Sequence, residues 1–323
     1  MTAGTARRRA GYARTRRLPR VVAFGGGHGL AASLSALRRV TDQLTAIVTV
    51  ADDGGSSGRL RAELNCLPPG DLRMALAALC GDDESGRTWA DVLQYRFDGD
   101  GALSGHAIGN LLIAGLWERL GDPVAGLDMV ARLLGAEGRV LPMASVPLEI
   151  EADVIGVDAA RPDEISQVRG QANVATTPGE VSAVRLMPTD PPACLESVEV
   201  VMEADWIVLG PGSWFTSVIP HLLVPKLAAA IHSTPAHRIL ALNLVPADET
   251  GASRPRGTSS CWPNTPPTCG WTWCSPTAGS RPTTRIFRPS STRSGPGSWW
   301  PIWPPGTAAP GTIRSAWRPR TPR

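Results

Sequence analysis

The fold of this chain is decided by residues 45–73, TAIVTVADDGGSSGRLRAELNCLPPGDLR. The segment opens with an apolar, β-branched run at 46–50, which predicts a buried strand. Carboxylates, glycines and hydroxyls follow at once, in the order Asp52, Asp53, Gly54, Ser56 and Ser57. Because an open α/β sheet binds ligands at the carboxyl ends of its strands, the segment predicts a nucleotide site. An acidic surface turn is the alternative interpretation.

The end of this segment, PPGDLR at 68–73, predicts a helix start. Asp71 is placed to cap a helix over 72–79, and Arg73 lies in its first turn. The same pattern occurs upstream, where a strand at 20–24 runs into Gly25, Gly26, Gly27, His28 and Gly29 before a helix over 30–39.

The upstream glycine cluster is a candidate phosphate site. Glycines let the backbone approach a phosphate, and a helix N-terminus offers free N–H groups and a positive dipole end. The spacing is not that of the dinucleotide fingerprint, because Leu30 stands at its third glycine position. A plain tight turn is the alternative.

Two downstream segments offer further candidates. A helix over 107–120 begins within the motif SGHAIGN at 104–110. His106 and Asn110 at this helix start could bind phosphate or amide groups, or His106 could only cap or pack. A strand at 204–210 runs into a second glycine turn, before a helix over 220–231 and a last strand at 238–244. The candidates from this turn and strand are Gly210, Pro211, Gly212, Ser213, Thr216 and Asn243.

Strands alternate with helices along the chain. Helices are also predicted over 89–95 and 123–134, short strands within 139–154 and a strand over 181–186. Glu149, Glu151 and Asp153 alternate there, which predicts a solvated acidic face. The alternation favours an α/β fold with three layers, a Rossmann-like and mostly parallel sheet with helices on both faces.

Composition divides the chain into three predicted segments. Residues 1–19 form a basic lead-in that we expect to be disordered, and the first 20 residues hold seven Arg and no acid. The predicted nucleotide-binding domain is 20–251, because residues 21–251 hold all 29 acids and only 15 bases. The overall charge of +3 averages unlike parts, so it does not predict nucleic-acid binding.

No run of 18 apolar residues occurs, so no membrane span is expected. The cysteines of the body, Cys66, Cys80 and Cys194, do not form a disulfide framework, which fits a reducing cytosol. Arg16 and Arg17 invite a twin-arginine export interpretation, which we reject because glycines interrupt the apolar stretch that follows.

Six motifs in consistent order, GGGHG, TVADDGGSSGRLR, PPGDLR, GHAIGN, GPGSWFTS and LNLV, resemble the gluconeogenesis factor family (YvcK-like) of the CofD-like superfamily. The resemblance implies a cytoplasmic regulator that binds UDP-sugars such as UDP-N-acetylglucosamine and is linked to gluconeogenic growth, cell shape and peptidoglycan synthesis. It places both glycine turns at the diphosphate, Asp52 and Asp53 near ribose or a divalent metal, and Asn110 and Asp71 in the same cleft.

The resemblance leaves open whether a reaction occurs. His28 stands where many relatives carry Thr, and no catalytic triad or metalloprotease motif is present. A regulator that is not an enzyme is therefore favoured. The alternative is a CofD-like transferase of the 2-phospho-L-lactate transferase type, acting on a nucleotide-diphospho substrate. The sequence does not fix the oligomeric state, and a homodimer is one option.

The last segment, 252–323, has the composition of a wrong reading frame. It holds ten Arg, 14 Pro and seven Trp but no Leu, Val, Asp or Glu. Codons for Trp and Cys begin with T, and a shifted frame moves that T to the middle position, which always encodes an apolar residue. A shifted reading of 261–274 permits LAEHAPDLRVDV, a plausible helix end and strand. A genuine Trp- and Pro-rich tail is the alternative.

If the frame has shifted, the chain lacks part of its fold. Elements of typical length would add about two strands and two helices. We therefore expect lowered stability and weak or absent UDP-sugar binding in the chain as written, and a product without function is a further possibility.

Overall fold

The computed structural model describes residues 17–243, which form two β-sheets with helices around them. The strands are β1 Val21–Gly25, β2 Leu44–Val48, β3 Arg139–Pro142, β4 Glu149–Ile155, β5 Ile165–Arg169, β6 Glu180–Met187, β7 Trp206–Leu209 and β8 His237–Leu240. The helices are α1 Gly27–Leu37, α2 Gly55–Leu64, α3 Gly70–Leu79, α4 Glu84–Gln94, α5 Ile108–Leu120, α6 Pro123–Leu134, α7 Gln171–Thr176, α8 Leu195–Glu203, α9 Ile219–Leu222 and α10 Pro225–Ser233.

The main sheet is five-stranded and parallel, in the order β3-β2-β1-β7-β8. Every residue of β1 is buried, as a parallel strand covered on both faces requires. Leu30, Leu34 and Leu37 form the buried stripe of α1. The predicted fold class, a mostly parallel Rossmann-like sheet flanked by helices, is confirmed.

The strand order contains a topological switch point between β1 and β7. The chain moves outward from β1 to β2 and β3, then returns to β7 and moves outward to β8 on the other side. Right-handed crossovers therefore place α1 and α3 on one face of the sheet and α8 and α10 on the other. Consistent with this, α1 packs on α3 and α8 packs on α10. A crevice between β1 and β7 is where open α/β sheets bind ligands.

The residues after Asp53, for which no helix was predicted, form the helix α2. Its glycines and serines have weak helix propensity, but Ser56 and Ser57 are buried, and tertiary packing overrides propensity here. Three other helices begin earlier than predicted. The helix α3 starts at Gly70, so Asp71 lies in its first turn and is not its cap, which is Pro69. The helix α1 starts inside the glycine turn at Gly27, and α4 starts at Glu84 because Asp83 caps it through the Gly86 amide.

The short strands predicted within 139–154 are present as β3 and β4, but the prediction of a solvated acidic face is wrong at Glu151. The segment belongs to two sheets, since β3 is an edge of the parallel sheet whereas β4 is the centre of a separate antiparallel sheet, β5-β4-β6. Glu151 is not solvated, because only 8% of its side chain is exposed. Its carboxylate pairs with Arg169 at 2.7 Å and Arg185 at 3.1 Å, so neighbouring strands cover it.

The predicted helix over 220–231 is divided. A π-helical turn, Trp214–Val218, leads into the short α9, and α10 begins after Val224. Pro225 lacks a backbone N–H and is tolerated in the first turn, so the second helix starts there. The last strand ends at Leu240, and Asn243 lies in the loop that follows.

The predictions for the tail 252–323 and for most of the lead-in 1–19 lie outside the described residues. The lead-in ends in contact with the domain, where Arg17 pairs with Asp205 at 3.0 Å. Within 17–243, no single helix is long and apolar enough to cross a membrane. Taken together, Trp214–Leu222 and Pro225–Ser233, which are bent by 76°, reach that length and composition.

Candidate functional site

The two glycine turns meet at the switch point between β1 and β7. The turn after β1 leads into α1, and the turn after β7 leads into the π-helical turn. A Cβ atom built on Gly29 would lie 2.3 Å from the carbonyl oxygen of Pro211, so only glycine allows this approach. Gly27 has φ +55°, a left-handed conformation that also favours glycine. We call the two turns together the glycine cradle, residues 25–29 and 210–213.

Hydrogen bonds stabilise the second turn from both sides. The Asn243 side chain accepts from the Gly212 amide and donates to the Gly212 carbonyl, each at 3.0 Å. The Ser213 hydroxyl oxygen accepts from the Thr216 amide at 3.2 Å and from the Thr216 hydroxyl at 2.6 Å. These two polar pairs hold the turn in one conformation.

Asp71 brings a carboxylate to the first turn. A Cβ on Gly26 would lie 2.4 Å from the Asp71 Oδ2, which puts that carboxylate directly against the cradle. Burial and then the Asp52 charge raise the pKa of Asp71 to about 7, although a hydrogen bond from the Gly27 backbone and the Arg73 charge act in the opposite sense. The carboxyl is therefore half-protonated near neutral pH.

Asp52 lies beside Asp71 at the start of α3. Its Oδ1 accepts from the Gly54 amide at 3.0 Å, and its Oδ2 lies 2.7 Å from where a Cβ on Gly70 would stand. The Ser57 hydroxyl contacts the same position at 2.3 Å. Two carboxylates and a hydroxyl thus gather at the ends of β1 and β2, which is the placement that the family resemblance implied for Asp52 and Asp71.

Asp53 has different neighbours from Asp52. Its Oδ1 accepts from the Ala172 amide at 3.1 Å, and its Oδ2 lies 2.2 Å from a Cβ built on Gly170. Asp53 therefore caps α7 and joins the parallel sheet to the antiparallel one. Within 17–243, no three or more His, Cys, Asp or Glu side chains form a group that could hold a metal ion, so the carboxylates here could supply only part of a coordination shell.

Ser56, His106 and Asn110 form a buried polar cluster next to α2. The Ser56 Oγ accepts from the Asn110 Nδ2 at 3.0 Å and from the Ala107 amide at 3.4 Å. Both of its lone pairs are then used, so its proton goes to the His106 Nδ1 at 3.0 Å, and the Nε2 carries the imidazole hydrogen. Burial and the Arg59 charge lower the pKa of His106, which keeps the ring neutral.

Arg73 is turned toward α4. Its Nη1 donates to the Gln94 Oε1 and, at 3.5 Å, to the Leu93 carbonyl, and only 3% of the residue is exposed. Burial and the Arg96 charge lower its pKa to about 10. Arg73 thus packs beneath the carboxylates, whereas His28 is exposed on α1.

The structure therefore brings most predicted residues to one edge of the sheet. Asp53 and Arg73 have structural partners instead, and the role of each predicted residue in binding stays a prediction. Sequence reasoning did not single out Arg59, Arg96 or Gly105, which lie beside His106. Of these three, only Gly105 could have been found from the sequence, because a glycine in the SGH motif before α5 indicates a turn, and its φ is +73°.

Comparison with known proteins shows which family shares this arrangement. Residues 21–258 match the family described as 2-phospho-L-lactate transferase CofD. A Mycobacterium tuberculosis protein named as a gluconeogenesis factor is 63% identical over 235 residues, which are 72% of this chain and 68% of the relative. One from Lactococcus lactis is 40% identical over 232 residues, 70% of this chain and 68% of the relative.

A solved structure has the same fold. The crystal structure of a Bacillus halodurans protein matches with a TM-score of 0.62 at 38% identity, over 69% of this chain and 68% of that protein. The sequence and fold comparisons therefore agree on the part of the chain that carries the cradle.

Proposed function

The chain belongs to the gluconeogenesis factor family of CofD-like proteins, and we propose that it is a regulatory protein that binds UDP-N-acetylglucosamine. The observation that supports this proposal best is the contact between Gly29 and Pro211, which joins two glycine turns at the switch point. The proposal places the protein in the cytoplasm and links it to gluconeogenic growth, cell shape and peptidoglycan synthesis. Analytical ultracentrifugation would decide between a monomer and a homodimer.

The cradle has the chemistry that a diphosphate needs. The capping residue of α1, Gly26, offers no side-chain cap, and the Gly27 N–H donates to the Asp71 carboxylate. The next N–H groups of the first turn could then bind an anion. The backbone of the second turn approaches from β7, and the helix dipole adds favourable charge. Asp52 and Asp71 would then accept from ribose or sugar hydroxyls.

A divalent cation could accompany the diphosphate. Asp52 and Asp71 lie together, and hard cations such as Mg²⁺ take carboxylate oxygens and complete their shell with phosphates and water. The donor set fits such an ion better at Asp52 and Asp71 than at Asp52 and Asp53, because Asp53 is committed to the Ala172 amide.

Isothermal titration with UDP-N-acetylglucosamine tests the proposal, with GDP as the competing nucleotide. We expect one site per chain in a protein whose reading frame has been restored, and loss of binding in Gly29→Val, which obstructs the cradle. Gly115→Val is the matched control, since nothing lies within 4 Å of its added Cβ. Absence of binding to the restored wild type contradicts the proposal.

A transferase is the second candidate function, favoured by the match of 21–258 to the 2-phospho-L-lactate transferase family. Such an enzyme would move a phosphate-linked group from a nucleotide to an acceptor. Titration with guanosine nucleotides and deazaflavin acceptors separates the candidates. Tighter binding of those ligands than of UDP-N-acetylglucosamine, with turnover, would favour the transferase.

We also infer that residues from about 252 onward are read in a shifted frame, so that the chain as written is impaired. The family match stops at residue 258, close to the change in composition, and 68% of the mycobacterial relative is matched. Resequencing the codons for residues 249–256 tests this inference. A restored frame should raise Tm and UDP-sugar affinity, whereas a cooperative melt that UDP-N-acetylglucosamine shifts in the unrestored chain contradicts it.

A further inference from the structure

A separate cleft of about 580 Å³ lies at the N-terminal end of α2. Its lining includes Ser56, Arg59, Arg96 and Gly105, with Asp53 at one side. This volume falls within the range of small-molecule sites, about 300–1,000 Å³. The glycine turns of the cradle do not line it, so its ligand chemistry has to be derived from its own residues.

Two guanidinium groups are held side by side in this cleft. The Arg59 Nη2 donates to the Ser104 carbonyl at 2.6 Å, and the Arg96 Nη1 donates to the Gly105 carbonyl at 2.8 Å. Because these carbonyls belong to adjacent residues, they fix the two side chains next to each other. A Cβ on Gly105 would lie 3.7 Å from the Arg59 Nη2, so the guanidinium lies over that glycine.

Within the described residues, the Asp53 carboxylate is the negative charge in the lining of this cleft, beside the two positive charges of Arg59 and Arg96. Neither Arg59 nor Arg96 forms an ion pair there, although Glu63 is close enough to raise the pKa of His106. The Asp53 carboxylate accepts from the Ala172 amide and caps α7. Two positive charges held close together repel each other, so an anion bound between Arg59 and Arg96 would be favourable.

We propose that this cleft binds a phosphate group of a second small molecule, separately from the nucleotide sugar. Paired guanidiniums match phosphate oxygens, and the first turn of α2 adds N–H groups because its capping residue, Gly54, has no side-chain cap. The inference rests on the proposed function in one respect. The nucleotide diphosphate occupies the glycine cradle, so a phosphate at Arg59 and Arg96 belongs to another molecule.

The test is isothermal titration of the full chain with inorganic phosphate. Wild type should bind phosphate, and the double variant Arg59→Gln, Arg96→Gln should bind at least about tenfold more weakly, the scale of losing charge-assisted bonds. Arg132→Gln, an exposed arginine on α6, is the matched control and should bind like wild type. Melting curves establish that all three proteins fold, and a Lys pair at 59 and 96 should restore part of the affinity.

Several outcomes overturn the proposal. Phosphate fails to bind wild type, or the double variant binds it equally well, or malonate binds as tightly as phosphate. Saturating UDP-N-acetylglucosamine should leave phosphate binding to the frame-restored chain unchanged, and competition would assign the cleft to the nucleotide. If phosphate binds but UDP-N-acetylglucosamine does not, the proposed nucleotide function fails and the phosphate cleft stands, because residues 53–105 build it.

Discussion

Acidic side chains cluster in two regions of this molecule, and their pKa values are shifted in opposite directions there. At the ends of β1 and β2, Asp52 and Asp71 lie together, and burial with the Asp52 charge raises the pKa of Asp71 to about 7. On the antiparallel sheet, Arg185 and then Arg169 lower the pKa of Glu151, and Arg185 also lowers that of Asp153. The carboxylates of the antiparallel sheet are paired with arginines and belong to the fold, whereas a buried carboxylate with a raised pKa beside a second carboxylate is a candidate functional site.

The largest effect should follow a change in the glycine cradle itself. Gly29→Ala puts a methyl group 2.3 Å from the Pro211 oxygen and should destabilise the fold by about 1–3 kcal/mol. Gly115→Ala, also inside a helix, meets nothing within 4 Å and should stabilise by about 0.5–1 kcal/mol. Urea denaturation measures both, and equal effects would show that the two turns do not touch.

Asp71→Asn should raise stability, because it removes a charge that the cradle disfavours. At pH 8, Tm should rise by at least about 2–4 °C, the shift that about 1 kcal/mol gives in a domain of this size. UDP-N-acetylglucosamine binding to the frame-restored chain should weaken as the ribose or metal contact is lost. Unchanged binding would remove Asp71 from the site.

The Asp71→Asn variant also tests how the stability of the protein depends on pH. A carboxyl whose pKa is raised from 3.8 to about 7 on folding binds more protons in the folded state, so stability falls as pH rises between about 4 and 7. The Tm difference between Asp71→Asn and wild type should therefore be small near pH 4 and reach a plateau above pH 7. Burial lowers the pKa of His221 to about 4, but His221 affects both proteins equally and cancels in the difference.

A smaller change of opposite sign is expected on the antiparallel sheet. Glu151→Gln leaves Arg169 and Arg185 without their shared charge, so Tm should fall by a few degrees while ligand binding is unchanged. Glu149→Gln on the same strand forms no ion pair within 17–243 and serves as the control. A rise in Tm for Glu151→Gln would mean that this carboxylate is as poorly paired as Asp71.

For Asp53, which lies between the two regions, we expect an effect on stability alone. Asp53→Ala removes the cap of α7 and should cost about 1 kcal/mol, with nucleotide-sugar affinity retained. Asp98→Ala, at an exposed position, is the control. If Asp53→Ala abolishes UDP-N-acetylglucosamine binding instead, its carboxylate belongs to the cradle.

The sequence predicted the parallel sheet because its strands are buried on both faces and form continuous apolar runs, as in β1 and β2. It also located the glycine cradle, since turns at the ends of such strands converge. It missed α2, because the Gly-Ser composition of this segment disfavours a helix. The hydrogen bonds that Ser56 makes in the fold involve His106 and Asn110, which are 50 and 54 residues away in the sequence. It missed the burial of Glu151 for the same reason, because Arg169 and Arg185 lie 18 and 34 residues further on.

The central position of β1 has a consequence for synthesis on the ribosome. β1 is translated before its second neighbour β7, and most of the domain lies between the two strands in the sequence. Until β7 has been translated, one edge of the apolar strand β1 is unpaired. Pairing of strands that are so far apart in the sequence is slow. A nascent chain of this protein should therefore depend on chaperones until Pro211 has reached Gly29.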